Sequence, residues 1–222
     1  MRLLFSAAVL LMLGCEAPNV WEQQVRHVAA AQTDSIHIES QTITDRDLAA
    51  VQNLTQLREL LLDQTTITDA GVEQLVALNQ LEHLRLRGAE IGNDGIRRLC
   101  RIRSLKRLNL PHAVFNDDAL VQLQQLPELE LLRFGSPHVS DAGMEFIAQL
   151  PRIKFLHLID VPISDAGLDK LHGMKQLESL YLDGAHTTDA GIERLLRAIP
   201  EVHLHIDQQH HDRDPHRHDH QH

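Results

Sequence analysis

The chain has 222 residues, enough for one ordinary domain. Apolar residues make up 43% but aromatics only 3%, so a core must be built from Leu, Ile, Val and Ala. A formal charge of −10 argues against a general nucleic-acid binder, and two cysteines imply no disulfide framework.

The chain opens with "MRLLFSAAVLLMLGC", a charged start followed by an apolar run from Leu3 to Leu13. That run is too short to span a membrane, which takes roughly 20 residues, and has the form of a secretory signal. Its ending "MLGC" resembles the lipobox of bacterial lipoproteins, a family in which the Cys becomes the lipid-modified first residue of the mature chain. The resemblance implies a signal peptide over residues 1–14 and a lipid on Cys15. It also implies an extracytoplasmic protein anchored to a bacterial membrane. Cleavage after Ala17, giving a plainly secreted chain, is the alternative reading.

Residues 15–32 are expected to form the anchored N-terminus and a capping helix. Asn19 and Glu22 have capping-box spacing, and Trp21, Val25 and Val28 fall on one helical face. Such a helix would seal one end of a repeat stack.

From 33 to 206 the apolar pattern recurs every 24 residues. One frame is Leu57, Leu60, Leu62, Ile67, Val72, Leu75 and Leu78; the next is Leu81, Leu84, Leu86, Ile91, Ile96, Leu99 and Ile102. Seven copies and a final strand at Val202, Leu204 and Ile206 are expected. Within a copy, Leu60 and Leu62 have strand spacing, and Val72, Leu75 and Leu78 have that of a short helix. Cys100 falls inside an apolar helical stretch and reads as a small core residue. The Leu-x-x-Leu-x-Leu pattern resembles the leucine-rich-repeat family, and the "TDAGL"-type turn resembles copies found in bacterial envelope proteins. The resemblance implies an α/β solenoid (a horseshoe), with parallel strands on the concave face and short helices on the convex face.

The Asp-Ala-Gly step recurs at Asp69, Asp141, Asp165 and Asp189, with Asn93 in the same place once. The Asp is expected to cap the helix it opens, accepting from that helix's free N–H groups. The small Ala and Gly would let neighbouring copies stack closely.

No nucleophile elbow, phosphate loop or metalloprotease motif is present, so the chain does not read as an enzyme. Function is expected on the strand face, where alternation exposes the residues beside each Leu-x-Leu pair. Arg85, Arg87, Arg107 and Arg133 fall in the middle of that face, beside Phe155, His157 and Tyr181. Residues 84–116 hold eight Lys or Arg against two acids, a net of +6. The expected occupant is an anionic partner, either a protein or an envelope polymer, on a monomeric chain that takes no nucleic acid. The alternative reading of that basic stretch is a solvated face paired with acids of neighbouring copies.

Residues 207–222, "DQQHHDRDPHRHDHQH", are expected to be an unstructured tail. His216, His218, His220 and His222 alternate there and could chelate zinc or nickel weakly. A metal-binding lipoprotein acting through this tail is therefore a second functional reading. No other cofactor is implied.

Overall fold

The computed structural model describes residues 19–207 and the backbone of 209–210. Each copy contributes one short strand: Ser35–Ile38 (β1), Glu59–Leu62 (β2), His83–Leu86 (β3), Arg107–Leu110 (β4), Leu131–Gly135 (β5), Phe155–Ile159 (β6), Ser179–Asp183 (β7) and His203–Ile206 (β8). These eight pair in parallel, in chain order, each residue opposite the residue 24 further on as far as β7. Between them run short helices: Asp45–Leu48 (α2), Asp69–Val72 (α3), Asn93–Leu99 (α4), Asp117–Leu120 (α5), Met144–Ala148 (α6), Asp165–Lys170 (α7) and Asp189–Ala198 (α8). Val20–Ala29 (α1) precedes β1. This is the leucine-rich-repeat solenoid expected from the 24-residue pitch.

The core is one continuous stack. Leu60, Leu84, Leu108, Leu132, Leu156, Leu180 and Leu204 form a buried column across the strands, and Leu62 begins a second. That second column admits Phe134, whose ring meets Phe115 at 5.1 Å between centroids. Cys100 is buried in the same core, and burial pushes its thiol up to about 12.

The Asp-Ala-Gly step does not act as expected. The helix caps are the residues before it: Thr68 and Ser164 accept from the second N–H of their helices, Ser140 accepts from the second N–H of the 3-10 turn Asp141–Gly143 that leads into α6, and Thr188 accepts from the third N–H of its helix. The Asp instead reaches into the following copy. Asp45 accepts from the Thr68 N–H (2.8 Å) and its hydroxyl (2.6 Å). Asp117 does the same to Ser140, Asp141 to Ser164 and Asp165 to Thr188. The Gly of the step leaves room for this arm. A Cβ at Gly71, Gly143, Gly167 or Gly191 would land on the Asp carboxylate of the preceding copy. The steps at Asp69, Asp141 and Asp165 therefore lock two copies: the Asp grips the next one, and the Gly admits the previous acid.

The one Asn follows the same geometry with different donors. Asn116 caps its helix with an amide oxygen and has no hydroxyl to donate. Asn93 accepts from the Asn116 N–H (2.9 Å) and donates to its side-chain oxygen (2.7 Å). A carboxylate at 93 would set two acceptors against each other. At this joint Ala119 stands where the others have Gly.

Both edges of the sheet are occupied. Trp21 on α1 is 3% exposed, and Val28 is fully buried. The Gln24 amide donates to the His37 carbonyl (2.8 Å) and accepts from its N–H (2.7 Å), standing in for a strand beside β1. At the other end the tail does not begin at 207 without structure. Asp207 turns left-handed (φ 50°) and accepts from the Gly184 N–H (3.0 Å). The backbone of Gln209–His210 (β9) then pairs antiparallel with β8.

Candidate partner-binding face

The strand alternation that buries the Leu columns leaves three columns on the opposite face, and the register places every expected residue there. Arg107 lies between His83 and Leu131, and Phe155 continues that row. Arg85, Asn109, Arg133, His157, Tyr181 and His205 form the middle row. Arg87 stands just past the end of β3, where its N–H donates to the Leu62 carbonyl.

The four arginines are not equivalent. Arg85 is half-buried, with its Nε 2.7 Å from Asp63 Oδ1, off the line of a good hydrogen bond. Arg133 is also half-buried; its Nε–H donates to His157 Nδ1 (3.0 Å) and its Nη1 reaches Asn109 (3.4 Å). Burial lowers the pKa of its guanidinium, and Arg87 and Arg85 add to this, while Asp183 opposes them. Arg87 and Arg107 are exposed, and among the described residues neither has an ion-pair partner. Phe155 is 37% exposed, the one aromatic among the large apolar side chains that the described surface leaves bare.

His157 joins the two halves of the face. Arginine can only donate, so Nδ1 must accept, and Nε2–H donates to Asp183 (2.7 Å). Burial lowers the His157 pKa; the hydrogen bond to Asp183 opposes the shift and the Arg133 charge reinforces it. The His157 and Tyr181 rings lie 5.0 Å apart, and Tyr181 stacks on His205 at 4.1 Å and 8°.

Five of the eight cations in the +6 stretch have acidic partners. Arg98 and Arg101 meet Glu73, Lys106 meets Glu82, Arg97 meets Asp94 and Arg85 meets Asp63. The excess that remains on the strand face is Arg87 and Arg107.

A feature absent from the sequence expectations lies one position before the strands. Asp34, Arg58, Glu82, Lys106, Glu130, Lys154 and Glu178 alternate in sign at the 24-residue pitch. Arg58 bridges Asp34 (3.7 Å) and Glu82 (2.5 Å), Lys106 meets Glu82 (2.9 Å) and Lys154 meets Glu178 (2.9 Å). With Glu59, His83 and Arg107, the ladder from Asp34 to Glu130 lines a cleft of about 400 Å³. Its signal was the column itself, two residues before the Leu60 column.

Cys15 and the tail histidines 216, 218, 220 and 222 lie outside the described residues. Among the described residues no three His, Cys, Asp or Glu side chains converge as a metal site, and no helix is long and apolar enough to cross a membrane.

The fold has solved counterparts. Internalin C2 of Listeria monocytogenes superposes with a TM-score of 0.63 at 22% identity, covering 78% of this chain and 70% of its own. A leucine-rich-repeat protein of Leptospira interrogans gives 0.54 at 18% identity, over 70% of this chain and 38% of that one. No protein-family model matches the sequence, and none of the curated proteins does. The likeness establishes a leucine-rich-repeat solenoid as the fold.

Proposed function

We propose that this chain is a non-catalytic scaffold that binds an acidic protein segment on its strand face. It is held at an extracytoplasmic bacterial membrane by a lipid on Cys15. The observation that carries the reading is the pair Arg87 and Arg107, exposed and without acidic partners among the described residues, beside bare Phe155. Arg85, in the row between them, and Arg133, one strand beyond Arg107, are already committed to Asp63 and to His157. The two free cations would set encounter rate and orientation, and Phe155 would supply the buried anchor. The solenoid fold supports the reading, because stacked strands give an extended face rather than an enclosed pocket. The lipobox-like "MLGC" supports the anchor.

The test is a cross-linked pull-down from native envelope. An acidic protein should be captured by the wild type and by an Arg97→Glu/Arg98→Glu control. Arg87→Glu/Arg107→Glu should capture less through slower association, most clearly at low salt. Phe155→Ala should speed dissociation. Cys15→Ser should move the folded protein out of the membrane fraction. Equal capture by the control and the Arg87/Arg107 variant would refute the site. Capture of a polyanionic polymer instead would refute the protein partner, and membrane retention of Cys15→Ser would refute the anchor.

A further inference from the structure

The alternating ladder at the start of the strands is broken at one rung. Lys106 turns back to Glu82 (2.9 Å) and Lys154 turns on to Glu178 (2.9 Å), so Glu130, between them, is met by neither. Among the described residues Glu130 has no ion pair, although Lys154 feels its charge through space. The Phe155 N–H donates to the Glu130 carbonyl (3.1 Å), and half-buried Leu131 follows Glu130 in the chain. The strand register sets Arg107, Leu131 and Phe155 side by side in one row. An acid without a partner, a bare aromatic and a free cation therefore meet at the edge of three adjacent strands, β4 to β6.

We infer that Glu130 takes a lysine of the partner, carried beside the apolar residue that covers Phe155. The inference rests on the acidic segment proposed above and makes that segment mixed: acid for Arg107, apolar side chain for Phe155, lysine for Glu130. Charge complementarity requires the addition. A uniformly acidic segment over Arg107 and Phe155 brings like charge against Glu130, and one lysine turns that repulsion into attraction. The ladder supplies the precedent. At the rungs on either side, a lysine one copy away from a Glu reaches it at 2.9 Å, and a partner lysine laid along the same rim completes the missing rung. Its aliphatic stem lies on Leu131 while its ammonium stays at the solvent edge. The span also fits a short segment. Two strand spacings of about 4.8 Å separate Arg107 from Phe155, roughly the length of three extended residues.

The experiment titrates the full-length protein at low salt with the peptide acetyl-Asp-Asp-Ala-Leu-Lys-amide and with its reverse sequence, read by NMR. The reference peptides carry Gln in place of Lys. In the better orientation the Lys peptide should bind about 1.5–5-fold tighter than its Gln counterpart, the range for one exposed ion pair. Glu130→Gln should abolish that difference and Glu130→Lys should invert it. High salt should erase it on the unaltered protein, which gives the same comparison if a variant does not fold. Equal binding of the Lys and Gln peptides by the wild type overturns the inference and shows Glu130 neutralised within its own ladder; if Arg107→Glu still weakens both peptides, the partner face itself stands. A preference for Lys that survives Glu130→Gln overturns it as well, as does binding by none of the peptides. A Gln peptide with a free N-terminus that matches the Lys peptide replaces the lysine with a terminal amine and overturns this choice of occupant. Conversely, a Lys preference lost in Glu130→Gln but binding untouched by Arg107→Glu or Phe155→Ala upholds the lysine site and refutes the acidic-segment reading.

Discussion

The imidazole of His157 sits between a donor, Arg133, and an acceptor, Asp183, that together admit one neutral tautomer. Protonation would place an N–H against the Arg133 guanidinium, so burial and that charge both act to keep the ring neutral. His83 behaves alike: burial lowers its pKa, Glu59 opposes the shift, and the Arg107 and Arg85 charges add to it. A histidine whose pKa falls on folding binds protons better when unfolded. Its contribution to stability is whole above the ordinary value of 6.5 and is lost as pH falls through the lowered folded value. Asp165, whose carboxylate takes the Thr188 N–H and hydroxyl, is lowered too, so its contribution is present above 3.8 and lost below the folded value. His157→Gln keeps one acceptor and one donor without titrating. Between about pH 7.5 and 5 the wild-type melting temperature should therefore fall more steeply than that of His157→Gln. Parallel curves would show that the ring does not carry the effect. The sequence placed Arg133, His157 and Tyr181 on one face, because period-two alternation fixes sides. It did not show that Arg133 and His157 are already partners, because that depends on how far side chains reach across strands.

At the scale of the element, the Asp arm and the Gly gap are two halves of one contact. Asp45→Ala removes the acceptor for the Thr68 N–H and hydroxyl, both near solvent, and should cost about 1 kcal/mol. Gly71→Ala drives a Cβ into the Asp45 side chain and should cost about 1–3 kcal/mol. In the double variant the obstructing carboxylate is gone, so the combined loss should fall short of the sum by about 0.5–3 kcal/mol. Denaturant melts of the four proteins measure this, and strict additivity would mean that the Gly is required for some other reason. The 24-residue frame of Leu, Ile and Val was legible at once, because each buried column repeats an apolar residue at one position. The role of the Asp was not. Its spacing to the helix suits a cap, and nothing inside a single copy reveals that its partner is the Thr or Ser 23 residues later. The return strand β9 escaped for a different reason: "QH" inside a polar, His-rich run carries no strand pattern, and its pairing comes from the open edge of β8.

For the whole molecule, stability is a sum over copies and the joints between them, with each end needing its own seal. α1 provides one seal through Trp21 and Val28 and through the Gln24 amide, and β9 provides the other. The joints also decide how such a chain can be lengthened or shortened by recombination. Most are interchangeable, since any Asp arm fits any Ser or Thr cap followed by Gly. Removing residues 141–164 brings Asp117, with its partner Ser140, up to Gly167, and the contact is re-formed unchanged. Removing 93–116 instead brings Asp69 up to Ala119, where a Cβ occupies the space that Gly95 now leaves open. Both shortened proteins lose one copy, so the second should melt lower than the first, and Ala119→Gly should restore it. No rescue by that single change would mean that the joints are not the unit of exchange. If the rescue holds, the Asn93–Asn116–Ala119 joint is a mismatched splice site: a boundary that tandem duplication and loss of copies would not cross without a compensating substitution.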